Sequence, residues 1–251
     1  MDQIGKKGNN MNIFGTFDFG RLIKTFLPGF ILFLSICIYL DCISILTVNT
    51  PFILPFANKN LGAFGIFSIP FSIILGTVSN TIFFSLLTPW LIDRNFHKMN
   101  PNYCQLESAF KDWVLEHYAE CLKDRINIDN FKAVADVGAL LLPNTDLKAL
   151  SIVSEGFWFY MEFQLNILFA ITFSMSAILL MGVVASISVA KITFAKVVIA
   201  FLLLLGIYII LAIILIKAAR LNYRYYQTKT LSLRILALLN SAEKPKVKEG
   251  E

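Results

Sequence analysis

The sequence predicts an all-α integral membrane protein, with four transmembrane helices and a small cytosolic helical bundle between the second and third of them. The first observation is composition: 57% of the 251 residues are hydrophobic and only 16% are charged, whereas roughly a quarter are charged in soluble domains. The second is that the apolar residues form four blocks, each able to supply the ~20 residues with which a helix crosses a bilayer. The third is an uneven distribution of positive charge along the chain.

The predicted spans cover residues 26–46, 64–91, 167–190 and 197–216. They divide the chain into an N-terminal interfacial segment (1–25), a first pair of spans (26–91), a helical segment (92–166), a second pair (167–216) and a helical extension with a disordered tail (217–251). Nineteen of the 22 lysines and arginines fall in the first, third and last of these segments. Because basic residues accumulate on the cytosolic side of spans, both termini and the 92–166 segment are expected in the cytosol, with the spans in the plasma membrane.

A proline at the start of the first span and two prolines after it predict irregular backbone. The connection between the first two spans reads NTPFILPFANKN, and its Pro51 and Pro55 argue against a regular helix. A surface loop is the favoured interpretation, and a segment that dips into the protein is the alternative. Before the span, phenylalanines and basic residues precede Pro28-Gly29, which predicts an interfacial helix that bends there into the membrane.

One face of the second span carries small and polar residues at intervals of four: Ser68, Ser72, Gly76 and Asn80. Small residues at this spacing allow helices to approach closely, and an asparagine in lipid requires a hydrogen-bonding partner. Tight helix packing, with the third span as neighbour, is therefore the favoured interpretation. A pore assembled from several copies is the alternative. The fourth span is almost purely aliphatic and is expected to face lipid.

Asp41 is the ionisable residue inside a predicted span. A carboxylate in the membrane is costly and is by default a candidate functional group. Asp41 lies towards the outer end of its span, however, so a structural or interfacial role is favoured over an ion or proton site. A proton pathway usually needs a chain of such groups.

The middle segment predicts three helices. The first, over 105–122, has an apolar stripe whose members Phe110, Trp113 and Tyr118 are candidates for binding a partner. The second is expected to begin near residues 129–130 and to end before Pro143, and the third to begin at residues 144–145 and to continue into the third span.

The same segment contains two histidines and two cysteines in the order His97, Cys104, His117, Cys121. Four such ligands can hold zinc, but the first pair is farther apart than structural zinc motifs usually place it. His117 and Cys121 also extend the apolar stripe, so burial in the core is favoured over a metal site. No motif for a nucleophile, a nucleotide or another cofactor occurs.

Three functions follow as hypotheses. The first is a non-enzymatic homo-oligomer, a pore-forming or membrane-perturbing effector or sensor gated through its cytosolic helices. The second is an accessory or scaffold subunit that tethers a soluble cytosolic partner, and the third, least favoured, is an enzyme using the His/Cys cluster. The lipid bilayer is the expected environment in each case. The net charge of +5 reflects orientation in the membrane, so no nucleic-acid partner is expected.

Overall fold

The computed structural model describes residues 19–86, 88–122, 127, 131–132, 135–188 and 194–242, and within these ranges the chain is helical and contains no strand. The α-helices are α1 (Phe19–Val48), α2 (Ile53–Lys59), α3 (Leu61–Leu86), α4 (Arg94–Met99), α5 (Pro101–Leu122), α6 (Val137–Leu141), α7 (Leu147–Val153), α8 (Phe159–Ser188) and α9 (Phe194–Ala242). Single π-helical turns, Pro89–Asp93 and Ser154–Trp158, precede α4 and α8.

Four of the described helical stretches are long and apolar enough to cross a membrane, which confirms the predicted number of spans. They are Lys24–Val48, Leu61–Ile82, Leu147–Ile187 and Phe194–Leu239. The third and fourth greatly exceed the ~20 residues that a span requires. Their additional residues are the α7 segment and the second half of α9, so the middle segment runs helically into the third span, as predicted.

The chain divides into two compact units. The first comprises the residues up to Thr81 together with Asn166–Ile209. In this unit α8 bonds to two other helices: its Ser176 hydroxyl lies 2.5 Å from the Tyr39 hydroxyl of α1, and its Thr172 hydroxyl lies 2.8 Å from the Tyr208 hydroxyl of α9. Aromatic contacts of Phe33 with two residues of α3 join α1 to α3.

The second unit comprises Ile82–Leu165 and the residues from Ile210 onwards. Its apolar core is formed by α5, α6 and the second half of α9, and the buried members are Phe110, Val114, Leu115, Val137, Leu141, Leu231 and Leu238. The end of α9 is apolar on one face because it covers the two shorter helices. The apolar extension of the fourth span therefore packs within the chain.

The prolines near the first span interrupt less helical structure than the sequence suggested. Helix α1 continues through Pro28, and the bend at Pro28-Gly29 stays a prediction. Between the spans, α2 forms over Ile53–Lys59 although the prolines argued against a helix. Pro55 is the third residue of α2, and in the first turn of a helix a proline removes an amide hydrogen that would have had no intrahelical acceptor.

The predicted starts of two helices in the middle segment have different outcomes. The start predicted near residues 129–130 lies outside the described residues, and residues 131–132 are helical. Residues 135–136 are not helical, so the predicted second helix is interrupted, and α6 begins after Asp136, whose carboxylate accepts hydrogen bonds from the amides of residues 138 and 139. Helix α7 begins after Asp146, which accepts from residues 148 and 149, and not at residues 144–145. In both cases an aspartate is the N-cap, because its carboxylate binds amides that have no intrahelical partner. The predicted N-terminal interfacial segment and disordered tail lie largely outside the described residues.

Replacing Leu141 by alanine is expected to destabilise the second unit. Leu141 is fully buried in the core, whereas the adjacent Leu142 is 49% exposed. Removing a buried leucine side chain costs about 2–5 kcal/mol, so Leu141→Ala should accelerate amide hydrogen exchange in α5, and Leu142→Ala should not. Equal exchange rates in the two variants would contradict the assignment of this core.

Candidate functional site

The predicted small-residue stripe of α3 lies at the place where α3 approaches α1. A β-carbon added at Gly29 of α1 would overlap the backbone carbonyl of Ser72 in α3, and one added at Gly76 would overlap the backbone carbonyl of Thr25 in α1. Small residues four apart on each helix thus face each other, which permits backbone contact between the two helices. The sequence shows the same four-residue spacing in Thr25 and Gly29 of α1. The prediction of a bend at Pro28-Gly29 did not make use of it.

The polar members of the stripe also have partners inside the chain. The hydroxyl of Ser72 donates to the carbonyl oxygen of Ser68 at 2.6 Å, and both serines are buried. The Asn166 side chain of α8 donates to the Asn80 side chain of α3 at 3.0 Å. The second and third spans are therefore joined by an amide–amide hydrogen bond, a typical contact between helices in lipid.

Asp41 is fully buried and binds the start of α2. One carboxylate oxygen accepts from the backbone amides of Phe52 and Ile53 at 2.8 and 2.6 Å, and the other accepts from the amide of Leu54 at 2.8 Å. Carboxylates favour helix N-termini, where unpaired amides and the helix dipole provide partial positive charge. In this conformation Asp41 acts as an N-cap supplied by another helix, and both of its oxygens are engaged.

The turn between α1 and α2 explains how Asp41 reaches these amides. Asn49 has a φ of 60°, a left-handed conformation that asparagine tolerates and that often ends helices. Its amide donates to the carbonyl of Ile45 at 3.0 Å, and the Ser44 hydroxyl donates to the carbonyl of Thr50 at 2.8 Å. The chain thereby reverses beside the last turns of α1 and directs the first amides of α2 at Asp41.

The three predicted partner-binding residues of α5 lie in different environments. Phe110 is buried in the second unit's core, and the Tyr118 hydroxyl donates to the carbonyl of Leu140 at 3.1 Å. Trp113 is 52% exposed, as is Leu106, two turns earlier on the same side of the helix. Of the three candidates, Trp113 alone presents a largely exposed ring for binding another molecule.

The four residues considered as zinc ligands do not converge in the described part of the chain. The His97 ring lies 3.2 Å from the carbonyl oxygen of Asp93, and the Cys104 sulfur contacts the backbone carbonyl of His97 at 3.8 Å, not its ring. His117 is exposed, so the prediction that it lies in the core is wrong. The Cys121 side chain lies outside the described residues, and no group of three histidine, cysteine or carboxylate ligands occurs among those described.

Two adjoining cavities in the second unit were not predicted as a site. The smaller has a volume of about 280 Å³, and its lining includes Lys217, Arg220 and Arg224. The larger has a volume of about 370 Å³ and is lined by Trp90, Leu91, Arg94, Asn95, Lys98 and Arg220. The two together are called the basic cleft below, because Arg94, Lys98, Lys217, Arg220 and Arg224 line it and no carboxylate does.

An aromatic cluster supports one wall of the basic cleft. The ring of Phe96 packs edge-on against those of Tyr103 and Tyr223, and the Tyr223 hydroxyl donates to the Asp93 carboxylate at 2.6 Å. Burial, and secondly the charge of Glu107, raises the pKa of Tyr103 above its ordinary value. These contacts hold α4 and α5 against α9.

Comparison of the chain with protein-family models, with curated proteins and with solved structures finds no match. The class of the protein therefore rests on its fold. With four helices long and apolar enough to cross a bilayer, it is a multi-pass membrane protein.

The close approach of α1 and α3 predicts that Gly29→Ala destabilises the first unit. An added methyl group must push two helix backbones apart, and overpacking of this kind costs about 1–3 kcal/mol. Gly65 of α3 is the matched control, because a β-carbon there meets no atom within 4 Å. Thermal unfolding in detergent is monitored by labelling of the buried thiols of Cys37 and Cys42. Gly29→Ala should have a lower unfolding midpoint than wild type. A midpoint no lower than that of Gly65→Ala would contradict the contact.

Replacing Asp41 by asparagine is expected to loosen the start of α2. The amide group of asparagine offers one acceptor oxygen, and its NH₂ would oppose the amide hydrogen of Leu54. Hydrogen bonds to charged groups contribute about 1.5–3 kcal/mol, so hydrogen exchange at residues 52–54 should accelerate on the order of tenfold or more. Thr47→Val is the control, because the Thr47 hydroxyl bonds carbonyls of its own helix. Unchanged exchange in Asp41→Asn would refute the capping role.

Proposed function

We propose that this protein is a non-enzymatic membrane-anchored accessory subunit, whose helical bundle tethers a soluble partner at the cytosolic face of the membrane. One observation carries the proposal. The candidate groups of the spans are occupied within the chain, whereas Trp113 on α5 is largely exposed at the edge of the helix face that forms the core, one turn after the buried Phe110. Tryptophan is enriched at the energetic centres of protein interfaces.

The occupied groups support an anchoring role for the spans. Gly76 contacts the α1 backbone, Asn80 bonds Asn166, and Asp41 binds three amides of the chain. Each is therefore explained by helix packing or capping. A function that used them for ions or protons would first have to break these contacts.

The exposed part of α5 supports a docking role. Leu106 and Trp113 are separated by about two helical turns and so lie on one side of the helix. Glu116 and Glu120, about one and two turns after Trp113, are also exposed. An apolar pair bordered by charged side chains matches the general composition of a protein-binding surface, which has an apolar centre and a polar rim.

A pore-forming homo-oligomer is the second candidate. It is favoured by the exposed positions of Thr77 and Thr81, which lie one turn apart on α3 and would provide hydroxyls for a lining between copies. Each of these hydroxyls also bonds a carbonyl of its own helix, at 2.9 and 3.0 Å respectively. An assembled pore would use this face, because the Ser68–Asn80 stripe faces other helices of the same chain.

The proposed function predicts that a soluble protein co-purifies stoichiometrically with the full chain in mild detergent, and that Trp113→Ala weakens the complex. Truncating a central interface tryptophan typically costs at least about 2 kcal/mol, or roughly thirtyfold in affinity. Leu142→Ala removes an exposed leucine elsewhere and is the control; quantitative binding to the purified partner is the measurement.

Three results would count against this function. Binding that is equal in Trp113→Ala and wild type would remove α5 from the interface. A chain that purifies without a stoichiometric partner would leave nothing for the bundle to tether. A homo-oligomeric ring that releases dye from liposomes would instead support the pore.

A further inference from the structure

The basic cleft concentrates positive charge that no neighbouring carboxylate neutralises in the described chain. Its two cavities share Asn95 and Arg220, so the Arg220 side chain lies where they meet. None of the five cleft cations forms an ion pair with a carboxylate of the described chain. The neighbouring Asp93 is engaged by the Tyr223 hydroxyl and lies 3.5 Å from the His97 ring.

Arg220 carries hydrogen-bonding capacity that the described chain leaves unused. Its Nε is buried and has no acceptor, and its Nη2 reaches the carbonyl oxygen of Leu91 at 3.5 Å, the limit of a hydrogen bond. A buried donor without an acceptor is unfavourable by about 1–3 kcal/mol. A guanidinium group presents its donors in a planar fork that matches two oxygens of a phosphate or carboxylate.

The position of the cleft along the chain points to the membrane surface. Lys217 is the first charged residue after the apolar run that ends at residue 216, and Arg94 is the first basic residue after the run that ends at residue 91. Trp90 lies beside them in the lining, and tryptophan prefers the level of the lipid headgroups. The cations therefore stand where lipid phosphates are found.

Snorkelling is the simpler explanation for cations at the end of a span. It accounts for Lys217 and Arg224, which are exposed. It does not account for cations from two separate helices, α4 and α9, lining shared cavities around a guanidinium whose Nε has no acceptor. Basic pockets between helices at the membrane surface are typical sites for anionic lipid headgroups.

We propose that the basic cleft binds the phosphate headgroup of an anionic phospholipid. Arg220 supplies the central fork of donors, Arg94 and Lys98 approach from α4, and Lys217 and Arg224 complete the positive lining from α9. The acyl chains of this lipid would remain in the adjoining bilayer. This site is independent of the proposed tethering function, since none of its residues belongs to the exposed face of α5.

The test uses the full chain purified in a neutral detergent. Phosphatidylglycerol, phosphatidylcholine and inorganic phosphate are titrated separately, and native mass spectrometry counts the retained lipid while the unfolding midpoint reports stabilisation. Phosphatidylglycerol should bind saturably and raise the midpoint, at concentrations at least tenfold below those at which the other two act. The variant Arg94→Gln/Lys98→Gln/Arg220→Gln should bind it at least tenfold more weakly.

A matched control separates the cleft from net charge. Lys132→Gln/Lys148→Gln/Lys196→Gln removes the same number of charges elsewhere and should bind phosphatidylglycerol like wild type. Equal weakening in both triple variants would overturn the site in favour of diffuse attraction. Equal affinity for phosphatidylcholine would overturn recognition of the anionic headgroup. If inorganic phosphate displaced the lipid at an equal concentration, the ligand of the cleft would instead be a free phosphate compound.

A conservative variant keeps the test valid if the triple cleft variant fails to fold. Arg220→Lys retains the charge and most of the bulk but loses the planar fork, so it should weaken phosphatidylglycerol binding several-fold without lowering the midpoint of the lipid-free protein. Wild-type affinity in Arg220→Lys would overturn the central role of the guanidinium.

Discussion

The interior of a bilayer contains no water to complete the hydrogen bonds of peptide groups or polar side chains, and this constraint organises the described chain. Backbone groups are satisfied by long helices. The hydroxyls of Ser72 and Thr77 donate to carbonyls of their own helix. The larger polar groups instead bridge separate segments: Asn80 binds Asn166, and Asp41 binds the amides of α2. Polar side chains in the spans thus determine which helices lie beside each other.

This structural use of polar side chains in the spans affects which residues are candidates for a functional site. Polar residues inside a membrane are usually the first candidates for a site, yet here Asp41, Ser72 and Asn80 have structural partners. In the second unit, Arg220 has a buried donor with no acceptor and Trp113 has an exposed ring. The two proposals therefore concern surfaces outside the apolar stretches: a protein partner at α5 and a lipid headgroup at the basic cleft.

The sequence predicted the features that depend on long patterns. Span number follows from apolar length, and close packing of α3 follows from the four-residue spacing of Ser72 and Gly76, although the neighbour of these two residues is α1 and not the third span that the sequence favoured. Local boundaries were less predictable, because they depend on tertiary partners. Pro55 is compatible with α2 since it falls in the first turn, and the acceptor for that turn is Asp41 in a different helix. The basic cleft was not predictable, because its cations on α4 and α9, such as Lys98 and Lys217, are more than a hundred residues apart in the sequence.

The contact between Asp41 and α2 also limits how this region can vary. The three amides that it binds lie 11, 12 and 13 residues farther along the chain, and the intervening turn uses the left-handed backbone of Asn49. Most side chains in the turn are exposed and so are open to substitution. Its length is not, because one added or deleted residue would rotate the α2 amides away from the carboxylate. This connection therefore tolerates changes of residue type far better than insertions, and it is a poor place for an epitope tag.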